Sequence, residues 1–360
     1  MTDKLGRAVE RRMVSATLSA DAKARILSEI EQGKDEKAVK AHKIFVATVA
    51  VAAATMIAAA AAAGGVLQYY WGAKAAPVYE KNHQELAVSD TQNGWKLTLD
   101  DCVSDEHTAY IGITLEAPED VKLSEDANYF LDSAVKNQDG ESPMLGWSVT
   151  KLPDPDPGDQ KLSFVLWLNL WDKIGPFRGD FNFTFNSLME LGPWDSTPRE
   201  VNGVWSEDGG REDVVLQPDA WTFQKVAIDC PNATVTIPVN KTIPMIDGEA
   251  TLASVEISPL SLTIHAQGGS ILHHRDRAPA EAKDGLCATV QSASLKLKDG
   301  SKIDFTKHNT FDGIPRAFAG SGGCDQDAGT VDVRIPFDTL LDLSQVVSIE
   351  VCGVEIPMPQ

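Results

Sequence analysis

The sequence predicts a mainly β protein: two immunoglobulin-like β-sandwich units outside a membrane, preceded by a single transmembrane helix and a short helical cytoplasmic tail. Three observations carry this expectation. An uncharged run of 24 residues, 44–67, stands near the start of the chain. Beyond it, apolar residues recur at every second position in many short runs separated by Gly- and Pro-bearing turns. Charge also divides at the same place: residues 1–43 hold ten Lys/Arg against seven Asp/Glu, a net of +3, and the remainder carries −23 within the total of −20. Such asymmetry is expected when two parts of one chain meet different surroundings. At 360 residues the chain exceeds one domain. The expected organisation is a tail over 1–43, a span over 44–67, a linker over 68–84, a first β unit over 85–215 and a second over 216–360.

The tail carries two helical stripes. Leu5, Val9 and Met13 fall four apart, and Ala22, Ile26, Leu27 and Ile30 form a second stripe between Ser19, a fitting N-cap, and Gly33, a fitting stop. Helices this short are marginal alone in water. One reading docks them on a cytoplasmic partner through Leu5, Val9, Met13, Ile26, Leu27 and Ile30. The other leaves them solvated, or lying on the inner leaflet.

The run 44–67 would make a helix about 36 Å long at about 1.5 Å per residue, enough for a hydrocarbon core of about 30 Å. Lys34, Lys37, Lys40 and Lys43 precede it, while Tyr69, Tyr70 and Trp71 follow. Basic residues mark the cytoplasmic side and aromatic rings settle among headgroups, so the N-terminus is expected inside and the C-terminus outside. A cleaved signal peptide has a shorter core nearer the chain start. A buried soluble helix is the rival, since 11 of the 24 residues are alanine. Ala50, Ala54, Ala58 and Ala62 recur every four positions, a spacing that lets a second copy approach as a homodimer within the lipid.

In the outer region Trp95, Leu97 and Leu99 alternate, then Ile111, Ile113 and Leu115, then Leu162 through Leu170 at even positions, then Phe181, Phe183 and Phe185. No long amphipathic helix is expected, although the loop around 124–135 has room for a short one, and residues 206–219 read as the connection between units. A second set of strands begins at Trp221 and continues through residues 233–238, 250–257, 260–266, 289–298, 302–305, 331–336, 347–351 and 354–358. Asp299 and Gly300 mark a hairpin turn between two of them. Tryptophans 147, 167, 171, 194, 205 and 221 are expected in cores rather than on a ligand-binding face.

Chemistry is sparse. No G-x-S-x-G elbow, Gly-rich phosphate loop or zinc-spaced His/Cys set is present. His265, His273 and His274 with Asp276 read as surface loop residues, because adjacent strand residues point to opposite faces. Asp154, Asp156 and Asp159 lack the distal Glu of a calcium loop. No catalytic, cofactor or metal residue is therefore expected, and no enzyme. A surface this acidic excludes nucleic acid. All five cysteines lie beyond the span. Cys230, Cys287, Cys324 and Cys352 fall in the expected second unit, with Cys102 left over. The readings are a Cys287–Cys324 disulfide or buried apolar thiols.

The order of parts resembles a bacterial anti-sigma-factor-like family, domain of unknown function 4179. The likeness is carried by LSADAKARILSEI (residues 18–30), the single span, GWKLTLDDCVSDEHTAYIGITLEA (94–117) and NKTIPMIDGEATLASVEISPLSLTIHAQG (240–268), the last similar to a second outer module. The resemblance implies a membrane-anchored regulator whose tail holds a sigma factor. The tail here is shorter than a full sigma-wrapping domain and lacks a His/Cys zinc motif. The alternative is a structural or adhesive envelope protein with no signalling role.

Overall fold

The computed structural model describes residues 65–359, apart from 125–126, 143, 155–157, 171–176, 194–198, 202–203, 207–210, 246–247, 269–289, 291, 306–309, 312–313, 316–323 and 326–329. Two short helices, α1 (Val66–Trp71) and α2 (Ala76–Asn82), lead into strands β1 (His83–Gln92), β2 (Trp95–Ser104), β3 (Thr108–Glu116), β4 (Asn128–Asn137), β5 (Met144–Lys151), β6 (Lys161–Leu170), β7 (Gly179–Leu191), β8 (Arg199–Val201), β9 (Val204–Ser206), β10 (Val214–Gln217) and β11 (Trp221–Ile228). A second set follows: β12 (Val235–Met245), β13 (Gly248–Ile257), β14 (Ser261–Gln267), β15 (Ala293–Leu297), β16 (Lys302–Asp304), β17 (Thr310–Phe311), β18 (Ile314–Pro315), β19 (Cys324–Asp325), β20 (Thr330–Pro336), β21 (Val346–Val351) and β22 (Val354–Pro357). The expected mainly β class is what the chain adopts.

In the first unit an antiparallel sheet ordered β1-β2-β3-β6-β5 faces another built around β7, which pairs with β4, β10 and β11. The alternating residues meet between them. Leu97, Leu99, Ile111, Ile113, Phe164 and Leu166 from one sheet pack on Leu131, Phe183, Phe185 and Trp221 from the other. Each such side chain, fully removed from water, stabilises the unit by about 1.5–3 kcal/mol. Trp221 ties the layers together by donating its Nε1–H to the Trp95 carbonyl at 3.0 Å. In the second unit the sheet β12-β13-β14-β20-β19 and the sheet β16-β15-β21-β22 enclose Leu252, Val255, Leu262, Ile264, Leu295 and Ile349. The hairpin expected at Asp299 and Gly300 joins β15 to β16, with Ser301 N–H donating to Asp299 Oδ1.

Several sequence expectations change. Residues 68–84 hold most of α1 and all of α2, and Trp71, Ala75 and Tyr79 there are buried together with Val66 and Leu67 just before them. The loop around 124–135 that had room for a short helix holds from Asn128 onward the strand β4, whose Tyr129, Leu131 and Val135 alternate inward. Residues 206–219 contain β10, which pairs with β7. Trp221–Ile228 also pairs with β7, so this strand and Cys230 belong to the first core. The first unit thus extends past 215 because Trp221 and Phe223 are needed to complete its apolar interior. Among the described residues no helix is long and apolar enough to cross a membrane. Residues 44–64 of the expected span, and the whole tail, lie outside the described residues.

Candidate functional site

Two neighbouring places collect buried polar groups: a seat for the two N-terminal helices α1 and α2, and a seam between the two β units.

The seat arises from one irregularity in β2. Up to Leu99 its odd residues face the core, but a bulge between Leu99 and Asp101 shifts the register against β3. An extra residue reverses the phase of everything after it. Cys102 therefore enters the core, while Asp101 and Val103 turn to the outer face. There Val103, Tyr110 and Val165 receive Leu67, Trp71, Ala75 and Tyr79. Asp101 Oδ2 accepts hydrogen bonds from Leu67 N–H at 3.1 Å and Tyr79 Oη–H at 2.6 Å. The Trp71 ring meets Tyr110 edge-on, with centroids 5.1 Å apart, and Tyr69 donates to the Pro153 carbonyl. Of the aromatic trio expected among headgroups, only Tyr70 is exposed, at 40%. Trp71 is spent on packing against protein.

Burial raises the Asp101 carboxyl to about 6, although the bonds from Tyr79 and Leu67 pull it down. Asp100, in the bulge, rises to about 7 through burial and its charged neighbour, against its bonds with Thr114. Unfolded aspartates titrate near about 3.9. Between about pH 4 and 7 the folded chain therefore holds protons that the unfolded chain has released, and their contribution to stability declines as pH rises. Denaturant titrations across that window should show this decline, shallower in Asp101→Asn, which keeps an acceptor but cannot ionise. An Asp101→Asn slope equal to wild type would refute the assignment.

The seam begins at the β2–β3 turn. Asp105, buried, accepts through Oδ1 from the backbone N–H of His107 (2.8 Å) and Thr108 (2.6 Å). Its Oδ2 accepts from the hydroxyls of Ser258 (2.5 Å) and Ser261 (2.7 Å), which flank the β13–β14 turn of the second unit. One carboxylate thus closes a turn in one unit and grips a turn in the other. From β20, buried Arg334 donates to Asn169 Oδ1 (3.2 Å) and the Leu170 carbonyl (2.6 Å) at the end of β6. Burial lowers its guanidinium, and the charge of Asp105 opposes this. Leu260 and Leu340 of the second unit enter the same apolar cluster as Leu67, Trp71 and Tyr79. Seat and seam are therefore contiguous.

Beside Asp105, His107 Nε2 lies 2.8 Å from Glu256 Oε2 on β13. Glu256 Oε1 lies 3.5 Å from His265 Nε2 on β14, and His265 Nδ1 is 2.6 Å from Asp332 Oδ1, its cross-strand partner on β20. The hydrogen bond to His107, and then the nearby His265 imidazole, hold Glu256 well below the usual carboxylate range. Burial works to lower His265, but Asp332 and Glu256 outweigh it and hold the imidazole up at about 9. His107, Glu256 and His265 are the group that offers clustered ligand atoms among the described residues.

The sequence alone puts His265 in a surface loop. It stands instead on β14, half-buried, because Leu262, Ile264 and Ala266 take the core positions and leave His265 on the face turned to the first unit. His107 and Glu256 carried no local signal; the residues of their contact are 149 apart in sequence. His273, His274, Asp276, Asp156 and the tail residues Leu5, Val9, Met13, Ile26, Leu27 and Ile30 lie outside the described residues. So does Cys287, whereas Cys324 opens β19. Asp159 merely accepts from the Lys161 N–H two residues on. Of the tryptophans expected in cores, Trp221 fills the first core, whereas Trp147 and Trp167 are only partly buried against the apolar clusters.

Fold and site define a class: a β protein of two units, joined by a buried polar seam and seated on helices at the end of an apolar run. No family model matches the chain, and no curated protein matches it. Among solved structures, the crystal structure of a conserved domain protein from Bacillus anthracis is similar over 75% of this chain and 76% of that one, at a TM-score of 0.39 and 14% identity. A superposition that loose defines neither a fold family nor an activity.

Proposed function

We propose that this chain is a single-pass membrane regulator, N-terminus inside, whose outer β units transmit their arrangement through the span to a tail that binds a sigma factor. The observation that carries the reading is the absence of slack at residue 67. Leu67 N–H is held by Asp101, and its buried side chain shares one cluster with Val165 of the first unit and Leu340 of the second. Any change in the angle between the units is then delivered to the last residues of the apolar run. A passive anchor gains nothing from such docking. The tail stripes and the family resemblance supply the cytoplasmic end, the acidic exterior argues against nucleic acid, and the reading assigns no catalytic step. We further propose that both units are immunoglobulin-like in topology, and that the alanine repeat of the span pairs two copies in lipid.

In cells, replacing Asp101 by Leu should alter sigma-dependent transcription while the protein still reaches the membrane. Replacing Leu5, Val9 and Ile26 by charged residues should abolish co-purification of a sigma factor. If transcription ignores both sets, the chain is an envelope scaffold and the regulatory reading fails.

A further inference from the structure

We propose that His107, Glu256 and His265 form a binding site for a divalent transition-metal ion of the zinc class, which pins the two β units to each other. The site stands independently of the regulatory reading.

The donors come from three elements and both units, and their ligand atoms all lie within 4.8 Å of one another. Two imidazole nitrogens and one carboxylate are a donor set that zinc and its neighbours accept, with the fourth position left to water. In a tetrahedral zinc site with bonds of about 2.0–2.1 Å, neighbouring ligand atoms stand about 3.3 Å apart. The separations to the two carboxylate oxygens bracket that value: 2.8 Å from His107 Nε2 to Glu256 Oε2, and 3.5 Å from His265 Nε2 to Glu256 Oε1. The longer is poor for a hydrogen bond, and His265 Nε2 is buried without one. Small side-chain rotations would bring all three donors onto one ion.

The surroundings fit as well. Asp332 Oδ1, 2.6 Å from His265 Nδ1, fixes the ring so that Nε2 faces Glu256. A carboxylate behind the imidazole is the usual means of orienting a metal-bound histidine. The side chains of His107, Glu256 and His265 remain 12%, 21% and 26% exposed, so an ion can enter and retain a water. Each imidazole releases any Nε2 proton to solvent as the ion enters. The contending account is a Glu256 carboxylate that merely pairs with two imidazoles; it needs no ion and predicts none bound.

The test uses the full chain purified in detergent, stripped with a chelator, and dialysed against Zn²⁺ alone. Wild type should hold one more equivalent than His107→Gln and than His265→Gln, each checked for retained near-ultraviolet circular dichroism. Asp332→Asn leaves all three donors in place and should weaken that equivalent by about 10–100-fold. Co²⁺ in the same site should show visible absorption of four-coordinate type that both histidine variants lack. Equal zinc uptake by wild type and His107→Gln, or an affinity untouched by Asp332→Asn, overturns the proposal. Should a histidine variant fail to fold, the Asp332→Asn comparison and the Co²⁺ spectrum of wild type decide the matter by themselves.

Discussion

Gly112→Ala is expected to destabilise the first unit by about 1–3 kcal/mol, the cost typical of overpacking, and to detach helices α1 and α2. Gly112 sits on β3 directly opposite Asp101. A Cβ there would stand 2.0 Å from Asp101 Oδ1 and 2.8 Å from Val66 Cβ. Neither neighbour can yield cheaply. Asp101 is fixed by Leu67 N–H and Tyr79 Oη–H, and moving it strands two buried donors at about 1–3 kcal/mol each. Val66 opens α1 immediately after Gly65, whose φ of +85° and contact with Asp101 leave no room for a side chain either. Gly146 on β5 has nothing within 4 Å of an added Cβ, so Gly146→Ala is the matched control. Denaturant unfolding gives the stability difference, and amide hydrogen exchange over residues 66–82 reports whether the helices have lifted. If Gly112→Ala matches Gly146→Ala in both measurements, the seat is not a tight contact.

The same bulge shows where reading the sequence stops. Alternation at Trp95, Leu97 and Leu99, or at Phe181, Phe183 and Phe185, encodes which residues face inward, and those residues do fill the first core. Most second-unit strands were legible for the same reason. Alternation does not encode which strand pairs with which. Trp221–Ile228 turns Trp221 and Phe223, then Val226 and Ile228 beyond a bulge, inward, yet only pairing with β7 assigns it to the first unit. At Asp100, Asp101 and Cys102 the pattern lapses, and that lapse was the available signal of a bulge. Pro77 at the first turn of α2 was likewise a helix-start signal, obscured because Tyr69, Tyr70 and Trp71 resemble residues at a membrane boundary. The polar outer face of β14 is readable from Thr263 and His265 alternating with Leu262, Ile264 and Ala266. What it would face, His107 and Asp105 from a turn in another unit, is a property of packing alone.

Protein folded in the presence of oxidised glutathione is expected to carry a Cys102–Cys230 disulfide, which the sequence could not suggest while Cys230 was counted with the second unit. The bulge turns Cys102 inward on β2, and Cys230 lies just beyond β11; both are buried. Cys230 Sγ donates to the Cys102 carbonyl at 3.4 Å. The neighbouring Cys102 side chain lowers the Cys230 thiol, whereas burial pushes Cys102 well up. Before the core closes over it, the Cys230 thiolate attacks glutathione disulfide and releases one glutathione. Cys102 then attacks the mixed disulfide at Cys230 Sγ and releases the second, and the two thiol protons pass to the departing glutathione thiolates. The residues are 128 apart. In the chain-entropy model, closing a loop of that order stabilises the folded state by close to 5 kcal/mol. Non-reducing peptide maps should show the linked pair, and a reductant should lower the denaturation midpoint of wild type but not of Cys230→Ser. If the map pairs either residue elsewhere, or Cys230→Ser loses as much stability on reduction as wild type, the two thiols meet in the core without ever joining.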